Sequence, residues 1–100
     1  MSAVYQSMTV ARGAGPREVR AAFNRWRRDN RFAISEELDI RIRPPFATRD
    51  EAEEWMSRNS AKSTPALAVA AWHHGQEVWV IGAWCDLRDW LGAAGRLAGT

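Results

Sequence analysis

The sequence predicts an α/β domain of α+β-like character: a two-layer sandwich in which a mixed four-stranded sheet carries about three helices, mainly on one face, in the order β-α-β-α-β-β-α. Three observations lead there. Stretches with apolar residues at every second position alternate with stretches where they recur every third or fourth. Strands linked through helices favour parallel pairing by right-handed crossover, whereas two apolar runs around one tight turn must pair antiparallel. A chain of 100 residues, 46% hydrophobic and 26% charged, has the composition of one folded domain spanning 1–100, with no room for a second core. Glycine (7) and proline (4) are ordinary, which excludes collagen-like and low-complexity chains.

Each element has its own signature. In residues 3 to 11, Val4, Gln6, Met8 and Val10 point one way and Tyr5, Ser7 and Thr9 the other, as in a strand with one mostly apolar face. Gly13 and Gly15 end it, and Pro16 suits the first position of a helix, where its missing N–H costs nothing. Val19, Ala22, Phe23 and Trp26 follow at i, i+3, i+4, i+7 spacing, while Arg17, Arg20, Arg27, Arg28 and Arg31 fall within about 80° of the opposite pole. Leu38, Ile40 and Ile42 alternate with Asp39, Arg41 and Arg43 in a second short strand, stopped by Pro44-Pro45.

Thr48-Arg49-Asp50-Glu51 is a capping box and opens a helix over about 49 to 59, packed through Ala52, Trp55 and Met56. The runs Ala66 to Trp72 and Glu77 to Trp84 flank His73-His74-Gly75-Gln76 and form a hairpin. Asp86-Leu87-Arg88-Asp89 opens a last helix that presents Leu87, Trp90, Leu91 and Ala94 on one face and ends at Gly95. The expected core contains Val19, Phe23, Trp26, Ile40, Ile42, Trp55, Met56, Val69, Val80 and Leu91. This order is not the ferredoxin-like one, so an RNA-recognition motif loses support.

Charge is placed unevenly. Net charge is +2, and thirteen of the fourteen cations are arginine. Residues 16 to 31 hold six arginines against Glu18 and Asp29, while 49 to 58 hold two arginines against four acids, giving a basic end and an acidic end. The arginines are either bidentate donors for phosphate and carboxylate or the codon bias of a GC-rich genome. Six tryptophans are several times the usual share, and a domain this small will not hide them all.

A two-residue turn at His74-Gly75 pairs Trp72 with Glu77, Ala70 with Trp79 and Ala68 with Ile81 on one face. Leu67, Val69, Ala71, Val78, Val80 and Trp84 then lie on the other, the natural core. The first face is expected to set Trp72 and Trp79 above alanines, on the side where Tyr5, Arg41 and Arg43 emerge. Such a face stacks bases or anchors a protein, unless the C-terminal helix covers it. The arginine-covered helix tracks a phosphate backbone, docks on an acidic protein or simply faces solvent. The candidate partner-binding residues are therefore Arg17, Arg20, Arg27, Arg28, Arg31, Tyr5, Arg41, Arg43, Trp72 and Trp79.

Other chemistries find little footing. Cys85 is the single cysteine, which removes intrachain disulfides and multi-cysteine metal sites. His73 and His74, adjacent at a strand end, are expected to point to opposite faces and not to chelate one ion. No phosphate-binding loop, dinucleotide fingerprint, zinc-protease or nucleophile-elbow motif occurs. The expectation is a non-enzyme with no cofactor and no metal. No stretch reaches the roughly 20 apolar residues of a spanning helix. The N-terminus lacks the basic and apolar regions of an export signal, so the expected site of action is the cytoplasm.

The stretch Phe46-Ala47-Thr48-Arg49-Asp50-Glu51-Ala52-Glu53-Glu54-Trp55-Met56, followed by the tryptophan-bearing hairpin to Trp84, resembles a pattern in small accessory proteins of phages and mobile elements. Some anti-CRISPR proteins are similar in size and organisation. The resemblance covers about 40 residues, carries no diagnostic residue, and implies a single domain that occupies a surface of a larger, often nucleic-acid-handling assembly. Many such inhibitors are strongly acidic nucleic-acid mimics. This chain is mildly basic, with acids concentrated at Asp50, Glu51, Glu53 and Glu54. The functional expectation is a protein-binding inhibitor or adaptor acting on such an anti-defence-type target. The alternative is a DNA- or RNA-binding accessory protein using the arginine helix and the aromatic face. A homodimer through that face is a further expected partner, and no membrane is.

Overall fold

A computed structural model describes residues 3–10, 13, 15–30, 37–60 and 65–86. Six elements run in order: β1 (Ala3–Val10), α1 (Pro16–Asn30), β2 (Leu38–Ile40), α2 (Arg49–Arg58), β3 (Ala66–His73) and β4 (Gln76–Asp86). They form one four-stranded sheet in the order β1-β4-β3-β2. β4 is antiparallel to β1 and to β3, and β2 is parallel to β3. The fold is α+β with the mixed sheet the sequence predicts. The expected last helix, with Leu91 and Gly95, and also Arg31, lie outside the described residues.

Local chemistry accounts for the helix boundaries. Gly15 accepts from the Val19 N–H at 3.0 Å, and its own N–H donates back to the Glu18 carboxylate at 3.0 Å, with Pro16 in the first helical position. For α2, the Thr48 hydroxyl accepts from the Glu51 N–H at 3.1 Å. Its last carbonyls are taken by Asn59, whose backbone N–H reaches Trp55 and Met56 and whose side-chain amide donates to the Trp55 carbonyl at 2.8 Å. The β3–β4 turn has φ of 51° at His74 and 76° at Gly75, the two left-handed residues of a type I′ turn. It fixes the expected register: Trp72 opposite Glu77, Ala70 opposite Trp79, Ala68 opposite Ile81.

Layering is where the fold departs from expectation. α1 packs Val19 and Phe23 against Leu38, Ala66, Ala68, Ile81 and Ala83. α2 packs Ala52 and Met56 against Leu67, Val69, Ala71, Val78 and Val80. Neighbouring strand residues point to opposite faces, so the two helices cover opposite faces of the sheet rather than one. Strand order supplies the reason. The connection from β1 to β2 crosses the whole sheet in one direction, and that from β2 to β3 steps one strand back. With one crossover hand, reversing the step puts the second helix on the other face. From Ala66 to Ala71 every residue of β3 is consequently buried.

A second departure lies in β2, which stops at Ile40. Ile42, expected in the core, is 86% exposed. The Arg41 N–H donates to the Ala68 carbonyl at 2.9 Å, and the next β3 acceptor, Ala70, is taken by the Phe46 N–H at 2.9 Å. An unbroken parallel strand would bring Arg43 there. Pro44 and Pro45 have no N–H to give, so the chain bows out and rejoins at Phe46, which bridges to Ala71.

Gly82 answers to Tyr5. A methylene at position 82 would fall on the Tyr5 ring, with ring carbons at 2.6 and 2.7 Å. The missing side chain lets the phenol lie across the sheet, edge-on to Trp84 at 5.3 Å between centroids.

Truncating Phe23 to alanine is expected to cost about 3 to 5 kcal/mol in denaturant unfolding, because it empties the centre of the α1 face. Ile42→Ala, by contrast, should stay within about 0.5 kcal/mol of the parent. Gly82→Ala should destabilise by about 1 to 3 kcal/mol, and the loss should shrink when Tyr5 is also replaced by a smaller residue.

Candidate functional site

The bowed segment between Arg41 and Phe46 builds the feature with most to offer a partner. Two prolines stiffen it, and the backbone rejoins β3 through the Trp72 N–H, which donates to the Phe46 carbonyl at 2.9 Å. Ile42 thus leaves the sheet just ahead of the level at which Trp72 stands on β3. Among the described residues, these two are the exposed large hydrophobic side chains, Trp72 at 43%.

Two guanidinium groups flank Ile42 in sequence. Arg43 lies over the Phe46 ring at 3.9 Å and 5.2 Å from the Trp55 ring, and those rings are themselves 5.6 Å apart. This stack holds an exposed cation in a defined place. Arg41 pairs with Asp39 at 2.7 Å, an exposed ion pair that orients the side chain more than it stabilises the fold.

At the turn end of the hairpin, the His73 and His74 rings approach to 3.9 Å between centroids, contrary to the expectation that they diverge. The left-handed backbone of His74 breaks the strand alternation and folds its ring back on its neighbour. A cleft of about 280 Å³ separates these histidines and Trp72 from Thr48, Arg49 and Asp50 at the start of α2. No group of three or more potential metal ligands forms among the described residues.

The remaining expected site residues disperse. Trp79 shares the α1 face with Trp72, as the register requires, but is partly buried against the α1 cluster. Tyr5 is on the other face, packed with the α2 cluster, because the β1 register sets it opposite Trp84. The expected platform therefore loses Tyr5, and of its two indoles Trp72 is the exposed one. On α1, Arg17, Arg20 and Arg28 are exposed, as is Arg25. Arg20 also donates to the Leu38 carbonyl at 2.9 Å, tying α1 to β2. Arg27 is half-buried, with its guanidinium 5.9 Å from the Phe23 ring.

Ile42 and the Arg43 stack escaped the sequence reading. The signal was present: a Pro-Pro pair directly after an alternating run cannot sit in a ladder, so the last apolar residue before it need not face the core.

Burial raises two acids. It pushes the Tyr5 phenol up to about 12, assisted by the Glu53 and Cys85 charges and opposed by the Ser60 hydroxyl nearby. The phenol oxygen is buried without a hydrogen bond of ordinary geometry. Burial also pushes the Cys85 thiol up to about 12, so it stays protonated and inert near neutrality. The unfolded chain releases these protons nearer 10.0 and 9.0, and so binds fewer protons than the fold between about pH 9 and 12. Stability contributed by both groups is fully present below that window and lost as pH rises through it. The denaturant midpoint should hold steady to about pH 9 and fall toward pH 12, and Tyr5→Phe should flatten the fall above pH 10.

Comparison with protein-family models, with curated proteins and with solved structures finds no match for this chain.

Proposed function

We propose that this chain is a non-catalytic, cytoplasmic protein-binding module, an inhibitor or adaptor that docks on a larger complex through Ile42 and Trp72, with Arg41 and Arg43 as the polar rim. The observation that carries the reading is the 86% exposure of Ile42 on a proline-stiffened loop whose far end, Phe46, is hydrogen-bonded to the backbone of the exposed Trp72. Tryptophan and arginine dominate binding hot spots, and a stiff loop loses little entropy when it is captured. The resemblance to anti-CRISPR-type accessory proteins points to a nucleic-acid-handling assembly as the complex. No helix among the described residues is long and apolar enough to cross a membrane.

A second reading has its own support. Arg17, Arg20, Arg25 and Arg28 are exposed on α1, as a helix tracking phosphates requires. Salt separates the two. Phosphate tracking demands that log affinity fall linearly with log salt, with a slope of about −0.9 per phosphate on duplex DNA.

The test is capture from host lysate, with and without nuclease treatment, by the wild type, by the Ile42→Ala, Trp72→Ala double variant and by the Arg17→Glu, Arg28→Glu double variant. A protein retained by wild type should be lost from the first variant, with affinity reduced by at least about 2 kcal/mol, and kept by the second. Nucleic acid retained at physiological salt, lost with the arginines and indifferent to Ile42 and Trp72, would reverse the assignment.

A further inference from the structure

The sheet has two edges, and they differ. On the β2 side the edge is three residues long and ends in the proline bow. On the β1 side it runs for eight residues, Ala3 to Val10, without charge, proline or break in register. Those are the devices that usually blunt an edge.

The ladder shows which groups on β1 face outward. Ala66 and Trp72 donate to the β2 side and Ala68 and Ala70 accept from it, so the even-numbered residues of β3 face β2 and the odd-numbered ones face β4. Through the pairs Val69–Val80 and Ala71–Val78, the even residues of β4 face β3 and its odd residues face β1. Through Met8–Ile81 and Gln6–Ala83, the even residues of β1 bond inward. The N–H and C=O groups of Tyr5, Ser7 and Thr9 therefore point off the sheet. Consistent with this, the Arg49 guanidinium reaches the Ser7 carbonyl at 3.3 Å.

Along this edge, on the α2 face, runs a groove of about 280 Å³ lined by Tyr5, Asp50, Glu53, Glu54 and Ser57. Arg49 beside Glu53 and Arg58 beside Glu54 offset part of its charge. On the α1 face the same edge presents Val4, Gln6, Met8 and Val10.

We propose that the β1 edge takes up an extended segment of a partner protein whose residues alternate between apolar and basic, adding it to the sheet as a fifth strand. Backbone groups of Tyr5 and Thr9 supply the hydrogen bonds, and Ser7 joins when Arg49 swings off its carbonyl. Alternate side chains of the guest fall to the two faces, the basic ones toward Asp50, Glu53 and Glu54, the apolar ones beside Val4, Met8 and Val10. A second copy of this chain fits less well. A twofold axis at Ser7 would pair the strands but set both copies' Asp50, Glu53 and Glu54 around one groove, where like charges repel. This surface is separate from Ile42 and Trp72, so its test is independent of the docking reading.

The probe is a capped peptide of alternating valine and lysine as long as β1, with a valine–glutamate peptide as control. Binding is read by fluorescence anisotropy and by hydrogen exchange at individual amides of the full chain. The Tyr5, Ser7 and Thr9 N–H groups should gain protection of about tenfold or more, those of Gln6 and Met8 should not change, and the glutamate peptide should bind at least about tenfold more weakly. Thr9→Pro, which removes only an outward donor, should weaken binding about tenfold. Should that variant fail to fold, Asp50→Lys with Glu54→Lys, both on the surface, should reverse the preference between the peptides. Binding without protection of the three amides, or equal binding of both peptides, overturns the proposal. So do amides already protected in the protein alone, which sedimentation then assigns to a second copy if dimeric or to the chain's own segment if monomeric.

Discussion

A strand that is apolar on both faces has to be covered twice, and β3 is such a strand. Its alanines at 66 and 68 lie under α1 while Leu67 and Val69 lie under α2. Neither helix makes a core alone. The small side chains on one face admit the bulk of Phe23, and the branched ones on the other meet a smaller partner in Ala52. The crossing of α1 over the sheet and the return of α2 beneath it both satisfy this one demand.

The turn at His74 and Gly75 sets the parity of everything attached to that strand. Two residues in left-handed conformation admit one register, and a slip by one residue would exchange the two faces. Trp72 would then point toward α2 and Ala71 toward solvent. Tyr5 follows the same parity through β4, which is why it meets Gly82 and Trp84 instead of the other indoles.

Much of this was legible in the sequence. Pro16 and the Val19–Phe23–Trp26 spacing gave α1, Thr48 and Glu51 gave the start of α2, and the turn gave the hairpin register to the residue. Layering was not legible, because periodicity states which residues of a strand share a face but not where that strand sits among the others. Placing β1 and β2 at opposite edges needed the pairing of β1 with β4, a contact between distant parts of the chain. The candidate site was half legible: Trp72, Arg41 and Arg43 stood out by type. Ile42 was hidden because its alternation with charged neighbours is that of a buried strand residue, and hydrogen-bond geometry at Pro44 and Pro45 overrode the pattern.

The bow at Pro44 and Pro45 also makes the sheet monofunctional in the polymer chemist's sense. A protein with two unblunted edges can be both donor and acceptor of strands, and copies of it can grow without limit. Here the edge with prolines and three paired residues is blunted, so a second copy added at the other would leave only two such blunted edges. Growth of copies through the eight uncharged residues of β1 would stop at a pair, which keeps that edge from seeding a fibre.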